Sequence, residues 1–218
     1  MLFRSRLMKK FGHAIFDMDG TMMDSMPAWK NLGRDYLIGK GIKVPQNLNV
    51  ITNDMSMTES ANYFQKELGV NDNVQKIMSD INELIEDKYK YEMPLKPYVN
   101  EYLLKLKREG IIMCVVTATP LQLAEAALKR LKVLEYFTFV LCCDEVGVGK
   151  SEPDSYYFAT KKMETELSDV MVYEDADYAM KTAKDAGFYT IGVYDKATGK
   201  SKNEMQLLCD RYIDSFEC

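Results

Sequence analysis

The chain has 218 residues, 47% of them apolar, 28% charged and 11% aromatic, with a formal net charge of −5. That suits one ordinary globular domain, or a core with a modest insertion, and excludes a disordered or fibrous chain. The acidic balance argues against nonspecific nucleic-acid binding, and the longest clean apolar run, Ile111 to Val116, is far short of the roughly 20 residues that span a bilayer.

In chain order, the basic start MLFRSRLMKK lacks an apolar stretch of signal length with a cleavage site, so no export signal is read, and Met8 offers an alternative start. His13 to Met18 is an isolated apolar strand. Residues 24 to 93 carry helical patterns near Pro27–Ile38, Thr58–Leu68 and Asn73–Tyr91, with no convincing strand among them. Met57, Ala61, Phe64 and Leu68 recur at helical spacing, a stripe of the kind that packs rather than binds a cofactor. From residue 94 on, helices and strands alternate. Pro97 to Arg108 reads as a helix and Ile111 to Ala118 as a strand. Thr119-Pro120 then reads as an N-cap and first turn, opening a helix to about Leu131. Strand Phe137–Cys142, a helix from Pro153 to about Glu166, strand Asp169–Tyr173, helix Asp177–Ala186 and strand Phe188–Tyr194 follow. Ser201 to Tyr212 is expected to be helical.

This alternation predicts an α/β fold with a parallel sheet covered on both faces, joined by the early strand. The expected core comprises residues 11–23 and 94–218, and residues 24–93 form a helical insertion resembling a lid. Substrate would lie between lid and sheet, because open parallel sheets bind ligands beyond the carboxyl ends of their strands. Five cysteines (Cys114, Cys142, Cys143, Cys209, Cys218), an odd number without CxxC or Cys/His spacing, point to a reduced, cytoplasmic setting. As strand neighbours, Cys142 and Cys143 would face opposite ways and not share an ion.

Four strand ends carry polar groups. Asp17-Met18-Asp19-Gly20-Thr21 follows the run Ala14-Ile15-Phe16, and a strand continuing through it would put both carboxylates on one side. An Asp/Gly-rich turn would have the same residues. Thr117 ends the second strand at a helix start, where free N–H groups attract anions, although a β-former or cap reads alike. Lys150 in GKSEPD reads alone as a surface lysine, and Glu174-Asp175 in YEDAD as a capping pair. In a parallel sheet all four converge on one edge. Clustered carboxylates call for a divalent cation, and oxygen-only ligands favour Mg2+. A metal, a lysine and helix-start amides suit a phosphoryl group.

These motifs, DMDGT at 17–21, Thr117, Lys150 and Glu174-Asp175, occur in the order of the haloacid dehalogenase superfamily. Residues 11 to 200 resemble its capped phosphatases and β-phosphoglucomutase-like branch. The resemblance implies a Rossmann-like core with an α-helical cap. It implies Asp17 as nucleophile, Asp19 as general acid and base, and Thr117, the Ala118 N–H and Lys150 as phosphate-binding groups. It implies Mg2+ held by Asp17, the Asp19 carbonyl, Asp175 and Glu174, and a small phosphorylated metabolite as substrate. Ser151-Glu152 departs from the proline that often follows the lysine. Ala176 replaces a common serine, leaving open whether Asp177 holds the metal or caps a helix. The second acid, Asp19, argues against haloacid dehalogenation.

Other proteins share some of these features. Gly149-Lys150-Ser151 ends like a Walker loop, but Asp144 stands where its first glycine is required and Pro153 interrupts the helix. A sugar-phosphate mutase of the same family carries a cap arginine where Met57 falls in DMSMTES. A phospho-acceptor signalling module has similar groups but no helical insertion. His13 is expected at a surface or edge rather than as a base. Trp29, Ser25 and Met26 lie near the strand mouth, in packing or substrate contact.

Overall fold

The computed structural model describes residues 11–52, 55, 57–198 and 200–217. The basic start with Met8, and Cys218, lie outside the described residues. The chain divides into two compact units, one running up to Ser25 and from Pro94 onward, the other Met26–Met93.

In the first unit, among the described residues, six strands form one sheet: β1 (His13–Phe16), β2 (Ile112–Thr117), β3 (Val140–Cys142), β4 (Val170–Glu174), β5 (Tyr189–Val193) and β6 (Arg211–Ile213), in the order β3-β2-β1-β4-β5-β6. Every neighbouring pair is parallel. Continuous apolar runs such as Met113–Val116 and Val170–Tyr173 form its buried middle, as expected of a sheet covered on both faces. After β1 the chain builds outward through β2 and β3, then returns to the other side of β1 with β4. The reversal of strand order falls at β1, where open α/β sheets form their ligand crevice.

Helices α5 (Val99–Arg108), α6 (Leu121–Arg130), α7 (Cys143–Val146), α8 (Asp154–Lys162), α9 (Asp177–Asp185) and α10 (Lys202–Leu208) belong to this unit, after four helices of the other. Tyr156 and Ala159 of α8 and Ala183 of α9 pack with Ile15, Cys114, Val116 and Val172 into one core cluster. Tyr102 of α5 meets the other sheet face, its hydroxyl 2.7 Å from that of Tyr173.

Several boundaries differ from expectation. β1 stops at Phe16 rather than Met18. Helix α5 starts at Val99, because Tyr98 before it is left-handed (φ 66°). Helix α8 ends at Lys162, and Glu164 turns left-handed (φ 55°) just beyond. The tail is not one helix. It breaks after Leu208, and Arg211–Ile213 adds an edge strand. Asp210 makes that break: its Oδ2 accepts from the backbone N and hydroxyl of Thr190, both at 2.9 Å.

The second unit consists of α1 (Met26–Gly39), α2 (Leu48–Thr52), α3 (Met57–Lys66) and α4 (Val74–Asp87), the last prolonged by a π turn at Lys88–Glu92. Asn73 caps α4 by accepting from the Lys76 N–H at 2.8 Å. The short α2 has no amphipathic pattern long enough to announce it. Ala61 and Phe64 of the expected stripe are buried in α3, and Ile77, Ile81 and Ile85 are buried in α4. Trp29 is 37% exposed and donates its indole N–H to the Tyr89 hydroxyl at 3.1 Å. Among the described residues no helix is long and apolar enough to cross a membrane.

Candidate active site

Register builds the site. Phe16 pairs with Tyr173 of β4, so the next residues, Asp17 and Glu174, leave neighbouring strands side by side. The Asp17 N–H donates to the Tyr173 carbonyl at 3.0 Å, fixing that exit. One carboxylate oxygen from each of Asp17, Glu174 and Asp175 lies within 4.8 Å of the other two, and all three residues are buried.

Lys150, buried to 5% exposure, reaches this cluster from the loop before α8. Its ammonium donates to Asp17 Oδ1 and, at 2.6 Å, to Glu174 Oε1. The lysine is therefore no surface residue and no free phosphate hook of Walker type. Tyr156 on α8 donates its hydroxyl to Glu174 Oε1 at 2.9 Å, and Thr21 donates to Asp175 Oδ1 at 2.9 Å. Asp17 Oδ2 is buried without a hydrogen-bond partner.

One ammonium faces three carboxylates, which leaves two negative charges if all ionise. Burial, then the charge of Asp17, push the Glu174 carboxyl up to about 7 against the opposing pull of Lys150. Burial, Asp17 and Glu174 push Asp175 well above the usual carboxylate range. Asp17 and Glu174 hold Lys150 protonated despite its burial. The protein alone thus leaves this cluster short of positive charge, and an all-oxygen donor set of that kind fits a hard divalent cation.

Gly20 turns the chain at φ 79°, a conformation costly for any other residue, and a Cβ there would overlap the Asp175 carboxylate, 2.7 Å from its Cγ. The glycine thus lets the first motif lie against the acid pair.

Asp19 departs from the expected alternation, because the strand has already ended. Its half-buried carboxylate stands outside the three-acid cluster and accepts from the Thr119 hydroxyl at 2.6 Å. Thr119 is consequently not the N-cap of α6. Pro120 occupies that position without a side-chain cap. Thr117 is buried at the end of β2, its Oγ1 accepting from the Thr119 N–H at 3.0 Å, and Ala118 beside it is exposed. Asp177 accepts from the Tyr178 N–H at 2.8 Å and pairs with Lys200 at 3.1 Å, outside the acid cluster. His13 pairs with Asp169 at 2.8 Å at the starting ends of β1 and β4, the sheet edge opposite the cluster. Ser25 is fully buried and its hydroxyl has no partner, while Met26 begins α1.

The sequence does not mark Thr21, Thr119 or Tyr156 as supports for the acids: Thr21 belongs to the first motif and Thr119 reads as a helix cap. Tyr156, three residues after Pro153, carried no local signal, because its partner is distant in sequence.

The chain belongs to the haloacid dehalogenase-like hydrolase family, whose profile matches residues 14–193. Named phosphatases of small phosphorylated compounds are among its relatives. It is 26% identical to a phosphorylated carbohydrates phosphatase of Thermotoga maritima over 81% of this chain and 82% of that protein. It is 29% identical to the validoxylamine A 7'-phosphate phosphatase of Streptomyces hygroscopicus subsp. limoneus, over 83% and 84% of the two chains. The fold matches a crystal structure of a Thermotoga maritima protein assigned as a beta-phosphoglucomutase, with TM-score 0.83, 24% identity and coverage of 93% and 94%.

Proposed function

We propose that the chain hydrolyses a small phosphorylated metabolite, in the manner of the sugar-phosphate phosphatases it resembles, through an aspartyl-phosphate on Asp17. The observation that carries this reading is Asp17 itself. One oxygen is held by Lys150, and the other is buried and free of hydrogen bonds. A carboxylate is a weak nucleophile, so alignment and charge screening supply the rate.

Asp17 Oδ2 forms a bond to phosphorus as the ester oxygen leaves. Asp19, oriented by Thr119, gives that oxygen its proton. Asp19 then takes a proton from water, whose oxygen attacks phosphorus and releases phosphate and Asp17. Thr117, whose Oγ1 already accepts one N–H and keeps its own proton to donate, holds a phosphoryl oxygen together with the Ala118 N–H. Lys150 neutralises the transferring group.

The acid cluster fits Mg2+, which Asp17, Glu174 and Asp175 would hold with the Asp19 carbonyl. When bound, the ion supplies charge neutralisation to the phosphoryl oxygens and lets the carboxylates ionise together. A mutase reading has support in the 25% identity to the beta-phosphoglucomutase of Bacillus subtilis. Met57, in α3, offers no positive charge for a second phosphate, which favours hydrolysis.

The test is a panel of phosphorylated sugars, nucleotides and organic acids assayed for released phosphate with Mg2+. Turnover of at least one, lost on chelation and restored by Mg2+, is expected. Release from none would move the assignment to the mutase or phospho-acceptor readings. Asp17→Asn is expected to abolish turnover with the fold intact, and undiminished activity would remove Asp17 as nucleophile.

A further inference from the structure

Lys96 lies in the segment between Pro94 and α5, outside every motif described above. Its side chain is only 12% exposed, and its ammonium meets three acceptors. These are the Gly20 carbonyl, the Tyr194 carbonyl at 2.7 Å and the Asp195 carboxylate at 2.9 Å, the last on a side chain 2% exposed. An ammonium has three N–H donors, so the set is complete.

Burying such an ion pair gains little stability over apolar packing, so stability alone gives no reason for it. What the pair does is tie three chain segments at one atom: the first-motif turn, the chain leaving β5 and the approach to α5. The neighbouring bonds extend the tie to Asp175. Asp195 Oδ1 accepts from the Ala197 N–H at 2.7 Å, and the Thr198 hydroxyl donates to the Asp175 carbonyl at 3.2 Å. On the other side, Thr21, next to the gripped Gly20 carbonyl, donates to the Asp175 carboxylate. The Lys96 N–H also donates to the Met22 carbonyl at 2.8 Å. Both supports of Asp175 therefore belong to segments that Lys96 joins.

We propose that Lys96, clamped by Asp195, is a positioning residue that holds the Gly20 turn and, through it, Asp19 and Asp175 in their working geometry. It touches no acid of the cluster directly. Its loss therefore impairs the chemical step and metal affinity more than capture of the phosphoester. The proposal rests on the phosphatase reading, but its metal-binding arm does not need turnover.

The full-length Lys96→Met and Lys96→Arg variants are compared with wild type. Measurements are Mg2+ affinity by calorimetry without substrate, kcat and KM on p-nitrophenyl phosphate, and thermal denaturation. A cleft of about 200 Å3, lined in part by Lys96, Tyr194, Asp195 and Phe216, gives a guanidinium room beside the clamp. For Lys96→Met we expect kcat and Mg2+ affinity each to fall about tenfold or more, with KM nearly unchanged. Lys96→Arg is expected to recover most of both. Wild-type kcat and Mg2+ affinity in a folded Lys96→Met, or an Arg variant no better than Met, would overturn the proposal. If Lys96→Met does not fold, Lys96→Gln is judged by the same criteria. A wild type that binds Mg2+ but turns over no ester would count against the phosphatase reading, and calorimetry would then decide the clamp alone. A wild type that binds no Mg2+ would overturn the clamp.

Discussion

Lys150 supplies an ammonium to the acid cluster. Its ammonium is buried between Asp17 and Glu174, and without it three carboxylates would share a dry pocket. Removing one partner of a buried ion pair costs about 3–5 kcal/mol, chiefly because the other charge is left unpaired. Lys150→Met should therefore destabilise the metal-free protein by that order. Mg2+ should restore part of the loss, because a bound cation stabilises the folded state by mass action and supplies the missing charge. Urea denaturation with Mg2+ and with chelator checks this, and equal stability loss in both conditions would contradict the charge argument. Among single residues, Asp17, Glu174 and Asp175 are legible because they end apolar runs, and Lys150 because it stands just before a proline-led helix. Thr21, Tyr156 and Lys96 are not, because a hydroxyl or a lysine acquires meaning only from a partner 154, 18 or 76 positions away.

At the scale of elements, β1 and β4 are aligned at both ends. Their carboxyl ends carry the acids. At their starts the Asp169 carboxylate accepts from the Gly12 N–H at 2.7 Å and pairs with His13. Burial works against its charge, but the Gly12 N–H and His13 prevail and hold the carboxyl below its usual value. A carboxyl whose folded-state value is depressed adds stability above its unfolded value, near pH 4, and loses it as pH falls through the folded value. Asp169→Ala should accordingly cost up to about 1 kcal/mol at pH 7, because the Asp169 side chain is 38% exposed and solvent screens its pairing. The gap to wild type should narrow below about pH 4. Denaturant titrations at neutral and acid pH measure it, and a gap that widens in acid would refute the assignment. The same scale shows where periodicity misleads. Ser201–Tyr212 reads as one helix, yet Asp210 binds Thr190 and turns Arg211–Ile213 into a sheet edge. Hydrophobic spacing reports local amphipathicity and is blind to such a distant acceptor.

For the molecule as a whole, the segment Met26–Met93 is inserted between two parts of one sheet-bearing unit. The two ends of that unit meet without it. The Asp24 N–H donates to the Pro94 carbonyl at 3.0 Å, and Met23 bridges Leu95. All six strands and the acid cluster lie in this unit. Replacing Met26–Met93 by a short Gly/Ser linker should leave a chain that unfolds cooperatively and still binds Mg2+. Circular dichroism melts and calorimetry test it, and a non-cooperative product would show that the sheet unit does not stand alone.

The alternating α/β pattern, the helical insertion, the acids and hydroxyl at strand ends and the lysine before a proline-led helix are readable along the chain, because apolar periodicity and turn chemistry are local properties. The tertiary structure decided the strand order that sets Asp17 beside Glu174, the burial that leaves their cluster short of positive charge, and the partners of Asp19, Asp175 and Lys96. Those depend on residues far apart in sequence, and only packing brings them within the few ångströms over which hydrogen bonds and desolvation act.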